Sequence, residues 1–261
     1  GRFNGTVIDY GCWPRQNRSH FAATDARPTL ADTYPGMNES QLVYAGLTDL
    51  VGQILGRKYY RQGGGSEVPV DRVLIDSGWN TATVYQFCRA SPYSAKLLPS
   101  KGVGRSASSV GVARWKPRPG ERSGMHWRLT AGLEGRGKSV QFDPDHWKSF
   151  VWERLSTPPG GGGCLTLYGK EAGVHAMIGE HCAAEYASPV TIRGDTFDKW
   201  DIRPDLPDNH LFDVVVGATV AASVEGLQWN ATGTAPAVPA PPKPLKLSEI
   251  QARKRAEAAR R

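Results

Sequence analysis

Two carboxylates stand where an acid can do chemistry. Asp213 closes the hexapeptide Asp208-Asn209-His210-Leu211-Phe212-Asp213, which opens an apolar run to Leu227. The run predicts a helix that is apolar almost all the way round, with Asn209 or Asp208 at its cap and Gly226 near its end. A helix without a polar face is buried on several sides. An acid one turn into it must be paired, protonated or bound to a metal. His210 lies three residues earlier on the same face, where it and Asp213 can form an ion pair, cap the helix or ligate. Asp76 ends the stretch Val73-Leu74-Ile75-Asp76-Ser77-Gly78, which predicts a core strand presenting its acid at the tip. Ligands of open α/β sheets bind beyond such carboxyl ends, although an Asp there also starts turns.

Other candidate motifs point away from chemistry. Gly132 to Ser139 (GLEGRGKS) matches a P-loop pattern, but that motif must open a helix whose first amides hold phosphates. Here Ser139 leads into VQFD and Pro144, so the segment predicts a β-hairpin turn and no nucleotide is expected at 132–139. Cys12, Cys88, Cys164 and Cys182 form no C-x-x-C pair, which argues against structural zinc and for free thiols. His175 and His181 are six apart, a poor spacing for one helical face, and read as ordinary helix residues.

The chain of 261 residues is 39% hydrophobic, enough for one sizeable core plus appendages. Eight Trp against three Met suggest rigid aromatic packing. No apolar run reaches the length of a membrane span, and no secretion signal is visible. The net charge of +7 is unevenly spread. Residues 96–122 hold Lys96, Lys101, Arg105, Arg114, Lys116, Arg118 and Arg122 against Glu121, a net of +6. Residues 243–261 carry a net of +5, which leaves the rest of the body at −4. One basic segment and one basic tail on a mildly acidic body suit a polyanion, and Lys101, Arg105, Arg114, Lys116 and Arg118 are the candidate phosphate contacts.

The elements that must position these residues follow from periodicity and turn signals. Phe3–Tyr10 predicts a strand, Asn38–Leu55 a helix, Thr83–Arg89 another and Lys96–Pro99 a short strand. Lys101–Arg122, rich in Gly, Ser and Arg, predicts a flexible basic loop or hairpin. Asp145–Leu155 predicts an amphipathic helix with an N-cap, Cys164–Tyr168 a strand, Val174–Ala187 a helix and Pro189–Trp200 a strand with a turn. Residues 1–228 form the expected folded domain, 229–244 a Pro/Ala-rich linker and 245–261 a basic tail, a marginal helix or disordered.

The order of these elements outlines a ribonuclease-H-like α/β fold, a mixed sheet flanked by helices. The wording VIDYG, LIDSGWNTATVYQFCR, FDPDHWKSFVWERL, CLTLYG, HCAAEY and RPDLPDNHLFDVVVGATVAAS goes further. It resembles the C-terminal nuclease domain of the large terminase subunit of lambda-type tailed phages, over roughly residues 3–228. The resemblance implies a metal-dependent endonuclease that cuts concatemeric double-stranded DNA during genome packaging. It implies two Mg²⁺ or Mn²⁺ ions about 4 Å apart on acidic side chains, since hard ions take oxygen ligands. Asp76 and Asp213 match two of the family's three acidic positions; Asp208 and His210 lie in the same motif. The family's first acid lies on a strand upstream of the segment matching FNGTVIDYG, and Asp9 is on a different strand, so impaired cleavage is expected of these residues alone. The terminase small subunit and the portal are the implied partners, a homo-oligomer the implied motor, and the bacterial host cytoplasm the implied location. The alternative is a non-enzymatic DNA-gripping or docking module.

Overall fold

The computed structural model describes residues 4–61, 63–106, 111–132 and 137–227, all of them inside one compact unit, Phe3–Gln228. The linker and tail predicted for 229–261 lie outside the described residues. The strands are β1 (Gly5–Val7), β2 (Val73–Asp76), β3 (Leu97–Gly102), β4 (Arg122–Gly124), β5 (Trp127–Leu129), β6 (Val140–Phe142), β7 (Leu165–Leu167), β8 (Glu185–Ile192) and β9 (Asp195–Ile202). The helices are α1 (Leu30–Thr33), α2 (Glu39–Gly56), α3 (Thr81–Ala90), α4 (Pro144–Leu155), α5 (Ala176–Ala183) and α6 (His210–Val224). Among the described residues no helix is long and apolar enough to cross a membrane.

A five-stranded mixed sheet in the order β2-β3-β6-β5-β4 organises the molecule. Strands β2, β3 and β6 are parallel, with Asp76 beside Ser100 and Ser100 beside Val140. Strands β5 and β4 close the sheet antiparallel. Helices α2 and α3 cover β2 and β3 through a core of Val51, Val84, Phe87, Cys88 and Leu97, flanked by Tyr44, Val73 and Ile75. Tyr44 meets Phe87 edge-on at 5.4 Å. Asn38 caps α2 with a reciprocal capping box through Gln41.

Two smaller sheets complete the fold. Strands β1 and β7 pair in parallel, and β8 and β9 form an eight-residue hairpin. Its two-residue turn, Arg193-Gly194, has both φ angles positive, which matches the strands' twist. Where the sequence reads a helix through Ala187, α5 ends at Ala183 and β8 begins at Glu185. Val190, Thr191 and Ile192 favour the strand, and Pro189 would break a helix continued through it.

The P-loop-like stretch connects β5 to β6 as a hairpin. Gly132 and Gly137 both have positive φ, and the Ser139 amide donates to Thr130 Oγ1 at 3.2 Å. Strand β6 follows where a P-loop requires a helix. Residues 133–136 lie outside the described ones.

At the carboxyl end of β6, Asp143 is fully buried and caps α4 by accepting from the His146 amide. Arg105 Nε donates to its Oδ2 at 2.7 Å, and His126 Nδ1 is 3.4 Å away. Burial opposes its charge, but these donors win and hold the carboxyl below its usual range. His146 stacks flat on His126, ring centres 3.6 Å apart. Burial, and then the His126 charge, push His146 from 6.5 down to about 4. The unfolded chain therefore binds the extra proton between pH 6.5 and about 4, so this contribution to stability is complete above pH 6.5 and is lost as pH falls through that window. Unfolding free energies from urea titrations between pH 7 and pH 4 should fall more steeply in the natural chain than in His146→Phe, which keeps the ring stack. The difference should approach about 1.4 kcal/mol per pH unit; identical slopes would contradict this.

Candidate functional site

Asp76 is exposed at the tip of β2. Its Oδ1 accepts the Gly78 amide at 3.3 Å, an Asx turn that carries the chain off the sheet. A Cβ on Gly78 would sit 3.2 Å from Asp76 Oδ2, so glycine keeps this approach open. Buried Ser77 anchors the turn: its amide and hydroxyl both donate to the Ser100 carbonyl at 2.8 Å. Asn80 then opens α3 in the left-handed conformation, φ 48°, and its Oδ1 accepts from Thr83. Trp79 stands 63% exposed beside the acid, a feature that the hydrophobic pattern of the sequence does not single out.

Asp213 is not buried as the apolar pattern predicts: its side chain is 50% exposed. Helix α6 packs against α4, α5, β2 and β5, but a narrow stripe through His210, Asp213, Val214 and Ala218 faces outward. Gly217 and Ala218 are apolar in type yet too small to require burial, so hydropathy alone hides the stripe. The C-terminal end of α6 is tied to the start of β2, where Arg72 Nε meets Glu225 at 2.6 Å. Its N-terminal end is tied elsewhere. Lys148 Nζ of α4 lies 3.1 Å from Asp213 Oδ1 and donates to Glu185 Oε1 and Oε2 at 2.6 and 2.7 Å. The Asn209 amide donates to the same Glu185 at 2.6 Å, so the residue expected to cap α6 with its side chain braces β8 instead.

The cap comes from His181, which its spacing marks as an ordinary helix residue. Its Nδ1 accepts the Leu211 amide at 3.0 Å from inside the core, which puts the proton of the neutral ring on Nε2. Burial holds this imidazole below its ordinary pKa, keeping it the acceptor the helix end needs. A helix N-terminus more often takes an oxygen acceptor from just upstream in sequence; this one comes from a separate helix, which no local pattern reveals.

Burial works against the Lys148 charge, yet Asp213 and Glu185 outweigh it and raise its pKa. Asp208 Oδ2 accepts the Ala23 amide at 2.8 Å, and His210 Nε2 lies 3.7 Å from Asp208 Oδ1. His210 is 64% exposed, on the same outward stripe as Asp213. Among the described residues no hydrogen bond or ion pair joins Asp76 to Asp213, and no group of three or more His, Cys, Asp or Glu is gathered for a metal ion. The donors are oxygens of the kind hard divalent ions take, one at the end of β2 and one on α6, which pack against each other.

The basic segment is less free than its composition suggests. Arg105 is spent on buried Asp143 and lies over the Phe197 ring at 4.3 Å. Arg114 pairs with Asp195 at the start of β9, and a 3-10 turn at Val112–Arg114 pins the chain through buried Val112. Arg122 donates to the Val224 carbonyl. Lys101, Lys116 and Arg118 are in no ion pair among the described residues and are exposed. Of the five candidate phosphate contacts, Arg105 is held by a buried acid and Arg114 by an exposed one.

A family model described as the endonuclease domain of the terminase large subunit gpA matches residues 36–232, about three quarters of the chain. The chain belongs to the terminase large-subunit endonuclease family. The match spans Asp76, Lys148, Glu185 and Asp213 alike, and leaves β1 outside it. No curated protein and no solved structure matched the chain.

Within this terminase domain, the Lys148 bridge makes a stability prediction. Lys148→Met leaves Glu185, whose side chain is 2% exposed, as a buried acid without its cation. That should cost about 3–5 kcal/mol in urea unfolding. The double variant Lys148→Met/Glu185→Gln, which removes the buried charge as well, should recover much of the loss. A double variant no more stable than the single one would show that the two do not act as a pair.

Proposed function

We propose that this terminase domain is a metal-dependent DNA endonuclease of the ribonuclease-H-like type, cutting concatemeric phage DNA as genomes are packaged. The observation that carries this reading is membership of the endonuclease family across a span that includes both candidate acids. Mg²⁺ or Mn²⁺ would be held by Asp76 and Asp213, with Asp208 and His210 beside Asp213. The bound ions would supply an activated water and stabilise the leaving oxygen of the phosphodiester.

The chain's own residues do the positioning. The Gly78 amide and the Ser77 anchor fix the direction of Asp76 at the strand tip. Lys148, braced by Glu185 and Asn209, fixes Asp213 one turn into α6 and supplies a compensating positive charge. Lys101, Lys116 and Arg118, with Arg114 at the edge, would take the phosphates of double-stranded DNA. Arg105 holds the base of that segment against Asp143. The terminase small subunit, the portal and further copies of the chain are the partners of the intact motor in this reading, and the host cytoplasm its location.

One observation favours a second reading, a DNA-gripping module without cleavage: among the described residues no three acids gather at one point. The two separate in a supercoiled-plasmid nicking assay with Mn²⁺. Nuclease action predicts nicking that EDTA abolishes and that Asp213→Asn or Asp76→Asn reduces at least a hundredfold, with DNA binding retained. Lys116→Ala/Arg118→Ala should weaken binding and flatten its salt dependence by about two phosphate contacts. Salt-sensitive binding without metal-dependent nicking, unaltered by either Asn substitution, would establish the gripping module instead.

A further inference from the structure

A cavity of about 390 Å³ opens between α4 and the β8-β9 hairpin. Its walls are Trp152 and Tyr186, 41% and 42% exposed, with Trp200 behind them. The Trp152 and Trp200 rings lie 5.9 Å apart, tilted by 60°. Trp79 and Tyr60 are exposed too, but Trp152 and Tyr186 are the two that open together on one pocket.

The charges around the cavity favour a cation. Glu153 and Asp198 line it. Asp198 accepts one hydrogen bond, from Ser149 Oγ at 3.3 Å, and is in no ion pair among the described residues. Glu153 is 74% exposed, and its ion pair is a 3.4 Å contact with its neighbour Arg154. Glu185 at the inner end is already held by Lys148. Arg203 is the cation of the lining, and it is fixed in the wall: its Nε donates to the Ala183 carbonyl while its guanidinium lies 5.3 Å from the Tyr186 ring centre. Aromatic faces and carboxylates both attract positive charge. A nucleobase would also suit the rings, but it would bring its phosphates alongside Glu153 and Asp198.

We propose that this pocket binds an arginine side chain from a partner polypeptide. The guanidinium would stack on Trp152 and bridge to Asp198, while Glu153 adds long-range attraction. The volume admits one extended arginine side chain, and the basic segment meets β9 through Asp195 and Phe197, which alternate along the strand with the pocket residues Asp198 and Trp200. The inference does not depend on whether Asp76 and Asp213 hold metal.

The test uses the full chain and an acetylated, amidated tetra-arginine peptide, which has no fluorescence of its own, with tryptophan emission as the readout. Tetra-citrulline, which keeps the shape and loses the charge, is the control. Saturable quenching by tetra-arginine is expected, at least tenfold weaker for tetra-citrulline. Asp198→Asn and Trp152→Leu should each weaken it at least fivefold, with circular dichroism unchanged. Because Asp198 is exposed, its variant keeps the test valid if Trp152→Leu disturbs packing. Equal binding of both peptides, or affinity unchanged in Asp198→Asn, would overturn the proposal. So would a single-stranded oligonucleotide that displaces the peptide and whose own quenching is lost in Trp152→Leu.

Discussion

The ammonium of Lys148 is the joint on which the candidate site depends. It sits between Glu185 of β8 and Asp213 of α6, and so ties three elements that are far apart in sequence. A buried ion pair of this kind adds little net stability, because desolvation consumes most of the attraction. Its value is geometric. Asn209 adds a neutral donor to Glu185, and His181 closes the start of α6. Together they fix where the outward stripe of α6 begins. Asp213 can then be half in water on a helix that is otherwise among the most buried in the domain.

The sheet presents Asp76 in a contrasting way. The strand carries the acid out of the core, and the Ser77-Gly78 turn holds it there with backbone donors. One acid is thus positioned by main-chain geometry and the other by a side-chain network. A conservative change at Asp76 leaves its frame standing, whereas a change at Lys148 or Glu185 moves the frame of Asp213. The family match spans both acids in one endonuclease domain; metal binding at them is our proposal.

Much of this was legible in the residues. The strand ending at Asp76, helix α2, the β5-β6 hairpin in place of a P-loop, and α4 are all set by local patterns: apolar periodicity and turn glycines. What was not legible was long-range. Asp213 looked buried because Gly217 and Ala218 count as apolar, although their size lets water reach the stripe. Lys148, Glu185 and His181 lie in an ordinary helix, a strand start and another helix, and only the fold brings them to α6. Arg105 looked like a phosphate contact because composition cannot show that Asp143, capping α4 from inside the core, already claims it. Four of the segment's seven positive side chains, Lys96, Arg105, Arg114 and Arg122, thus bond within the fold, and Lys101, Lys116 and Arg118 are left for an external anion.

The central claim is that Asp76 and Asp213 hold the catalytic metal. Iron-mediated affinity cleavage tests it most directly: Fe²⁺ replaces Mg²⁺, and ascorbate with peroxide generates radicals that cut the polypeptide next to the bound ion. The account predicts cuts near residues 76 and 213, suppressed by excess Mg²⁺ and lost in Asp213→Asn. Cuts confined to other segments, or a pattern that Asp213→Asn leaves unchanged, would contradict it.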